Sequence, residues 1–278
     1  MADTLKVACV QMTSGTDIVE NLDAAAELIR AAAKAGAAFI MTPENTCHIR
    51  NPAQEKIKTT KSMDEHIGIP FFSALAKELG VTLLIGSMAV KQGDKLMNRS
   101  FVFGSDGALK TIYDKIHLFD VQLANGEIYR ESDVFGAGDK AITATLNDDF
   151  TLGLSICYDI RFPHLYRDLA KVGANIMCVP AAFTVPTGRA HWETLLRARA
   201  IETGSYVLAC GQVGEHENGR MTYGHSMIIS PWGEVIEYKS EEPGIIVADL
   251  KKSEIEKARS AIPALTHDRD YKIEKATL

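Results

Sequence analysis

Paired cysteines, long apolar runs and an excess of basic charge are all missing from this 278-residue chain. Its five cysteines (Cys9, Cys47, Cys157, Cys178 and Cys210) are odd in number and scattered, with no Cys-x-x-Cys pair. That excludes a zinc ribbon or a thioredoxin motif and fits free thiols in a reducing compartment. The longest uncharged stretch, Val172 to Gly188, is broken by Asn175, Pro180 and Pro186, so it is no membrane span. Thirty basic residues against 36 acidic ones leave a net charge of −6, the wrong sign for a protein built to neutralise phosphates. Glycine and proline, 21 and 9 residues, are too few for a low-complexity chain. The opening MADTLKVACVQ has neither a basic leader nor an apolar core. The expectation is a cytoplasmic globular protein with neither nucleic acid nor membrane as partner.

Cofactor signals are equally thin. Gly136-Ala137-Gly138-Asp139-Lys140-Ala141 fits a loose G-x-G-x-x-A pattern, but the β-like stretch Ala141–Leu146 follows it where a dinucleotide site needs a helix. The eight histidines show no H-E-x-x-H, and Glu215-His216-Glu217 reads as a solvated loop, so no metal is expected. Gly153-Leu154-Ser155 and Gly224-His225-Ser226 lack the second glycine of a serine-hydrolase elbow. Lys56-Ile57-Lys58 with Lys61 reads as a solvated basic face.

What is present is an alternation of strands and helices. Leu5–Gln11, Phe39–Thr42 and Val81–Ser87 read as buried strands; Asn21–Ala35 and Pro70–Leu79 have helical spacing and end at Gly36 and Gly80. Met97–Phe103 and Leu109–Tyr113 flank the turn Ser105-Asp106-Gly107. In the second half, strands are expected at Thr151–Ile156, Asn175–Val179, Tyr206–Cys210, Ser226–Ser230, Val235–Tyr238 and Ile245–Leu250. Helices are expected at Pro163–Val172, Ala190–Thr203 and Ser253–Ala261. No linker interrupts the pattern, so one α/β domain is expected over residues 1–278, with 251–278 as a C-terminal helix and tail.

Ligands of α/β folds bind beyond the carboxyl ends of strands. Three reactive side chains fall there: Glu44, Lys115 and Cys157. Singly, each has an ordinary reading as a loop acid, a surface lysine or a small buried hydrophobe; Cys9, Cys178 and Cys210, inside apolar strands, fit that last description. Together they form a kit for acyl transfer. A carboxylate takes the thiol proton, the thiolate attacks, and an ammonium holds the oxyanion. The backbone N–H of Tyr158 offers a second oxyanion donor, and the helix that starts at Pro163 points its positive end toward the same region.

Pro43-Glu44-Asn45, Tyr113-Asp114-Lys115-Ile116-His117-Leu118 and Ile156-Cys157-Tyr158-Asp159-Ile160-Arg161-Phe162-Pro163 resemble, in order and spacing, the Glu, Lys and Cys motifs of the nitrilase superfamily of carbon–nitrogen hydrolases. Val7-Ala8-Cys9-Val10-Gln11-Met12 adds to the match. The resemblance implies an αββα sandwich whose protomers pair into a four-layer-forming homodimer. It implies Glu44 as general base and acid, Lys115 as stabiliser of the intermediate and Cys157 as nucleophile. It implies a second glutamate beside the lysine, for which Glu131 is preferred over Glu127. Ala182–Gly188, His191–Glu202, Tyr223–Met227 and Pro231-Trp232-Gly233 resemble the Nit branch, which contains deaminated glutathione amidase and omega-amidase; the Ala200-Ile201-Glu202 and Gly211-Gln212 regions favour the former. A nitrilase acting on R–C≡N is a rival reading, and so is a non-catalytic binding module. No cofactor is implied. The substrate expected is a small amide carrying a carboxylate. Arg161 is the candidate to grip that carboxylate, and Phe183 and Thr187, placed on a loop, are candidates to line the substrate. Residues 119–130 are the candidate lid.

Overall fold

Alternating apolar side chains give the first sheet two distinct faces. A computed structural model describes residues 4–49, 53–122, 126–217 and 219–277. In the strand Thr4–Gln11, Val7 and Cys9 point to one core, while Ala8 and Val10 point to another. Phe39 and Met41 against Ile40, and Val102 against Phe101 and Phe103, repeat the division. The first sheet runs Gly244–Lys251, Thr4–Gln11, Phe39–Met41, Thr82–Gln92, Lys95–Phe103, Leu109–Asp114. Its three central strands Thr4–Gln11, Phe39–Met41 and Thr82–Gln92 are parallel, and antiparallel strands flank them.

The second sheet has the same plan. Its order is Val235–Tyr238, Met227–Ile229, Tyr206–Gly211, Ile176–Ala181, Thr151–Leu154, Thr143–Thr145, again with three parallel strands in the middle. The two sheets face each other across one core, in which Val7, Cys9, Phe39 and Met41 meet Cys178, Val179 and Leu208. Cys210 donates its thiol hydrogen to the Met41 carbonyl from sheet to sheet, at 3.1 Å.

Helices cover both outer faces. Asp17 caps the helix Ile18–Lys34 by accepting from the N–H groups of Val19 and Glu20, and Leu22, Ala25, Ile29 and Ala32 form its buried stripe. With Gly68–Leu79 it covers the first sheet. Pro163–Lys171 and Val185–Thr203 cover the second. The result is the expected α/β architecture, an αββα sandwich.

Several local expectations need correction. The helix of residues 185–203 begins five residues before Ala190, because Pro186 sits in its first turn, where a missing N–H is tolerated. Thr187 therefore lies on a helix and not on a loop. The strand Thr151–Leu154 ends before Ile156, and Cys157 opens a short 3-10 helix, Cys157–Arg161. The helix Ala53–Thr59 was not anticipated; it carries Lys56. Of the candidate lid, Asp120–Gln122 and Ile128–Arg130 form a hairpin, and residues 123–125 lie outside the described residues.

Gly86 ties the first sheet to the turn that bears Glu44. It lies in the irregular pairing between Ile85 and Met88, and a Cβ there would stand 2.1 Å from the Thr42 carbonyl oxygen and 2.5 Å from that of Pro43. Gly86→Ala is expected to destabilise the fold by about 1–3 kcal/mol, the usual magnitude of overpacking. Urea unfolding measures this; an unchanged midpoint would contradict the packing described.

Candidate active site

Glu44 leaves the strand Phe39–Met41 through a tight turn. Thr46 closes it by donating its hydroxyl to the Pro43 carbonyl, and Asn45 adopts a left-handed conformation, φ 58°. Lys115 leaves the antiparallel strand Leu109–Asp114. Its N–H donates to the Asn98 carbonyl at 3.0 Å, and its own carbonyl accepts from Gly138 at 2.8 Å. A Cβ on Gly138 would lie 2.2 Å from the Asp114 oxygen, so the apparent nucleotide motif is a backbone packing site beneath the lysine. Cys157 comes from the second sheet and has φ 51°, a strained value for a residue with a Cβ, costing roughly 1–2 kcal/mol.

Two flanking residues hold that strained turn. Asp159 is fully buried and accepts from the Ile156 N–H at 2.8 Å, the Tyr113 hydroxyl at 2.7 Å, the His117 N–H at 2.9 Å and His117 Nδ1 at 2.7 Å. It thereby staples the cysteine segment to the lysine segment. From the other side, Arg199 donates through Nε and Nη2 to the Ile160 carbonyl, at 2.9 and 2.7 Å.

The three segments converge on one buried charge. Lys115 Nζ lies 2.9 Å from Glu44 Oε1 and 2.9 Å from Glu131 Oε2. Asn98 Nδ2 donates to both carboxylates, at 2.8 Å to Glu44 and 3.1 Å to Glu131. The Ala182 N–H donates to Glu44 Oε2, and the Phe119 N–H to Glu131 Oε2. The Cys157 thiol stands beside the Glu44 carboxylate, and each shifts the proton affinity of the other.

Burial alone would raise the Glu44 carboxyl, but the Lys115 ammonium and the Cys157 thiol outweigh it and hold the group below the ordinary range. Burial would discharge Lys115, yet Glu131 and Glu44 keep it well above its usual value. Burial and the Glu44 charge push Cys157 well up, against the pull of Lys115. The resting site is thus a carboxylate, an ammonium and a neutral thiol gathered in one place.

These groups open into a cavity of about 280 Å³. Tyr158, Phe183 and Thr187 also line it, with Phe119, Ile128, Tyr129 and Arg130 from the 119–130 segment. Arg161 does not. Its guanidinium lies over the Tyr158 and Phe183 rings, 5.8 and 5.7 Å from their centroids, and Nη2 is 3.3 Å from His191 Nδ1. The cations that line the cavity besides Lys115 and Arg130 are Lys56 and Arg220. Lys56 belonged to a patch read as solvated, and Asn98 and Arg220 carried no motif signal at all. Glu127, the rival of Glu131, is exposed and accepts from the Tyr129 hydroxyl. Among the described residues no cluster of three metal-ligating side chains occurs, and no helix is long and apolar enough to cross a membrane.

Residues 6–260 match the carbon-nitrogen hydrolase family. The chain belongs to that family. The hydrolase is 39% identical over 264 residues to a Synechocystis protein named deaminated glutathione amidase, covering 94% of this chain and 96% of that one. Among solved structures it resembles Saccharomyces cerevisiae Nit3, a member of branch 10 of the nitrilase superfamily, with 32% identity, TM-score 0.86, and 96% and 97% of the two chains covered. It also resembles the Caenorhabditis elegans NitFhit protein, with 35% identity and TM-score 0.88 over 96% of this chain. It spans 65% of the length of that worm chain.

The electrostatics predict the acid side of the pH profile. With Glu44 ionised as base, kcat/KM should fall only below the ordinary carboxylate value of about 4.3. Asn98→Asp puts a third carboxylate beside Glu44 and Glu131, which raises the Glu44 carboxyl, so the acid limb should move to higher pH. Rate measurements between pH 3 and 8 on both proteins check this, and an unmoved limb would contradict the assignment.

Proposed function

We propose that the protein is an amidase that hydrolyses deaminated glutathione to 2-oxoglutarate and Cys-Gly through a thioester on Cys157. The observation that carries this reading is the convergence of Glu44, Lys115 and Cys157 from two sheets onto one cavity. The names of the relatives supply the substrate.

Glu44 takes the thiol proton as the sulfur attacks the amide carbonyl carbon. The carbonyl oxygen gains the electron pair and is held by Lys115 Nζ and the Tyr158 N–H. The tetrahedral species collapses, the C–N bond breaks, and Glu44 returns the proton to the departing amine. Water then gives a proton to Glu44 and attacks the thioester carbonyl; the acid leaves, and the proton goes back to sulfur. Glu131 holds Lys115 between two carboxylates throughout and positions it for both oxyanions. Phe183 and Thr187 shape the cavity wall. The same reading includes a homodimer, supported by the exposed apolar side chains Trp232, Ile236 and Tyr238 around the edge strand of the second sheet, and a cytoplasmic location, supported by five free thiols.

Release of 2-oxoglutarate from deaminated glutathione and from α-ketoglutaramate, measured in parallel, tests the substrate. A higher kcat/KM for deaminated glutathione is expected; a preference for α-ketoglutaramate would make the protein an omega-amidase. Cys157→Ala should abolish turnover of both with the unfolding midpoint little changed. Residual turnover near the wild-type rate would exclude the covalent route.

A further inference from the structure

The cavity holds more positive charge than the chemistry at Cys157 uses. Lys115 is held by Glu44 and Glu131, but Lys56 and Arg220 also face the space. Both are half-buried, unlike Arg130, which is exposed. Arg220 is fixed by donation from Nη2 to the Ala182 carbonyl, 2.7 Å away, on the residue whose N–H binds Glu44. The Lys56 ammonium stands 5.2 Å from the centroid of the Phe135 ring, which lines the same cavity. Two cations directed into one small cavity repel each other, and burial adds to the penalty. A bound anion offsets both effects.

We propose that Lys56 and Arg220 form a carboxylate-binding subsite in the cavity of Cys157, through which the enzyme selects anionic amides. This inference rests on amide hydrolysis at Cys157. A guanidinium supplies a planar fork of donors and an ammonium a point charge, a pair suited to the two oxygens of one carboxylate. It assigns to Lys56 and Arg220 the grip that the sequence had suggested for Arg161. The carboxylate belongs either to the acyl portion or to the amine portion of the amide, and substrate pairs distinguish the two.

A charge on the subsite itself gives a second readout. Burial and the neighbouring Arg220 charge lower Lys56 to about 8, against the pull of Glu131 and Glu44. The other groups facing it do not lose a proton there: Arg220 and Arg130 are guanidinium groups, Lys115 is held above its ordinary value, and burial moves Cys157 and Tyr129 upward. The subsite therefore carries two positive charges below about pH 8 and only that of Arg220 above it.

The test compares kcat/KM for carboxylate-bearing amides and their methyl esters. One pair has the carboxylate in the acyl portion (α-ketoglutaramate and its ester); the other varies the glycine carboxylate of deaminated glutathione. The preference for acid over ester should fall by about tenfold or more in Lys56→Met for the pair whose carboxylate occupies the subsite, and return in Lys56→Arg. In the unaltered enzyme, KM for that acid should rise above pH about 8 while KM for the ester stays flat, which requires no variant to fold. Unchanged preferences in both pairs and a flat acid KM, with hydrolysis intact, would overturn the subsite and leave the amidase reading standing. Failure of the unaltered enzyme to hydrolyse any of these amides would overturn both.

Discussion

A buried ammonium between two carboxylates organises this protein. Removing Lys115 from water is penalised by several kcal/mol. Two carboxylates in contact contribute about 4 kcal/mol each at an effective dielectric near 20, enough to keep the lysine charged. The same pairing fixes the other protonation states. Glu44 stays a carboxylate because the ammonium is there, and Cys157 stays a thiol because burial and the Glu44 charge both oppose its ionisation. In the proposed mechanism, proton transfer from sulfur to Glu44 accompanies attack on the substrate, and Lys115 faces the charge that then develops.

Such a cluster requires three chain segments distant in sequence to meet with small tolerance. The fold supplies this by pairing two sheets of like plan, each with three parallel central strands. Glu44 follows one of these in the first sheet, Cys157 one in the second, and Lys115 an antiparallel strand of the first. Asp159 then locks two of the segments together through three hydrogen bonds, and Arg199 holds the strained cysteine turn from the covering helix. Strain at Cys157 is sustained because its neighbours on both sides are fixed by buried polar contacts.

Much of this was legible in the sequence, for definable reasons. The buried strands announce themselves as apolar runs, and the three reactive residues stand where such runs end. Glu131 came only through family resemblance, since nothing local separates it from Glu127. Other features depend on tertiary placement and leave no local trace. Asn98 lies inside a strand of ordinary pattern, yet its amide bridges Glu44 and Glu131. Lys56 looks like one residue of a solvated patch until its helix turns it toward Phe135. Arg161 has the right chemistry for a carboxylate, but its guanidinium packs over the Tyr158 and Phe183 rings and does not line the cavity. Thr187 reads as part of the loop after the strand Asn175–Val179, whereas Pro186 sits in the first turn of a helix that includes it.

The covalent route is the central claim, and partitioning of the acyl group tests it most directly. Amides that share one acyl portion but release different amines would be hydrolysed in the presence of hydroxylamine, and the ratio of hydroxamate to acid measured for each. A thioester on Cys157 forgets which amine has left, so the account predicts one common ratio. A ratio that changes with the leaving amine, or acid formed with no hydroxamate at any hydroxylamine concentration, would contradict it.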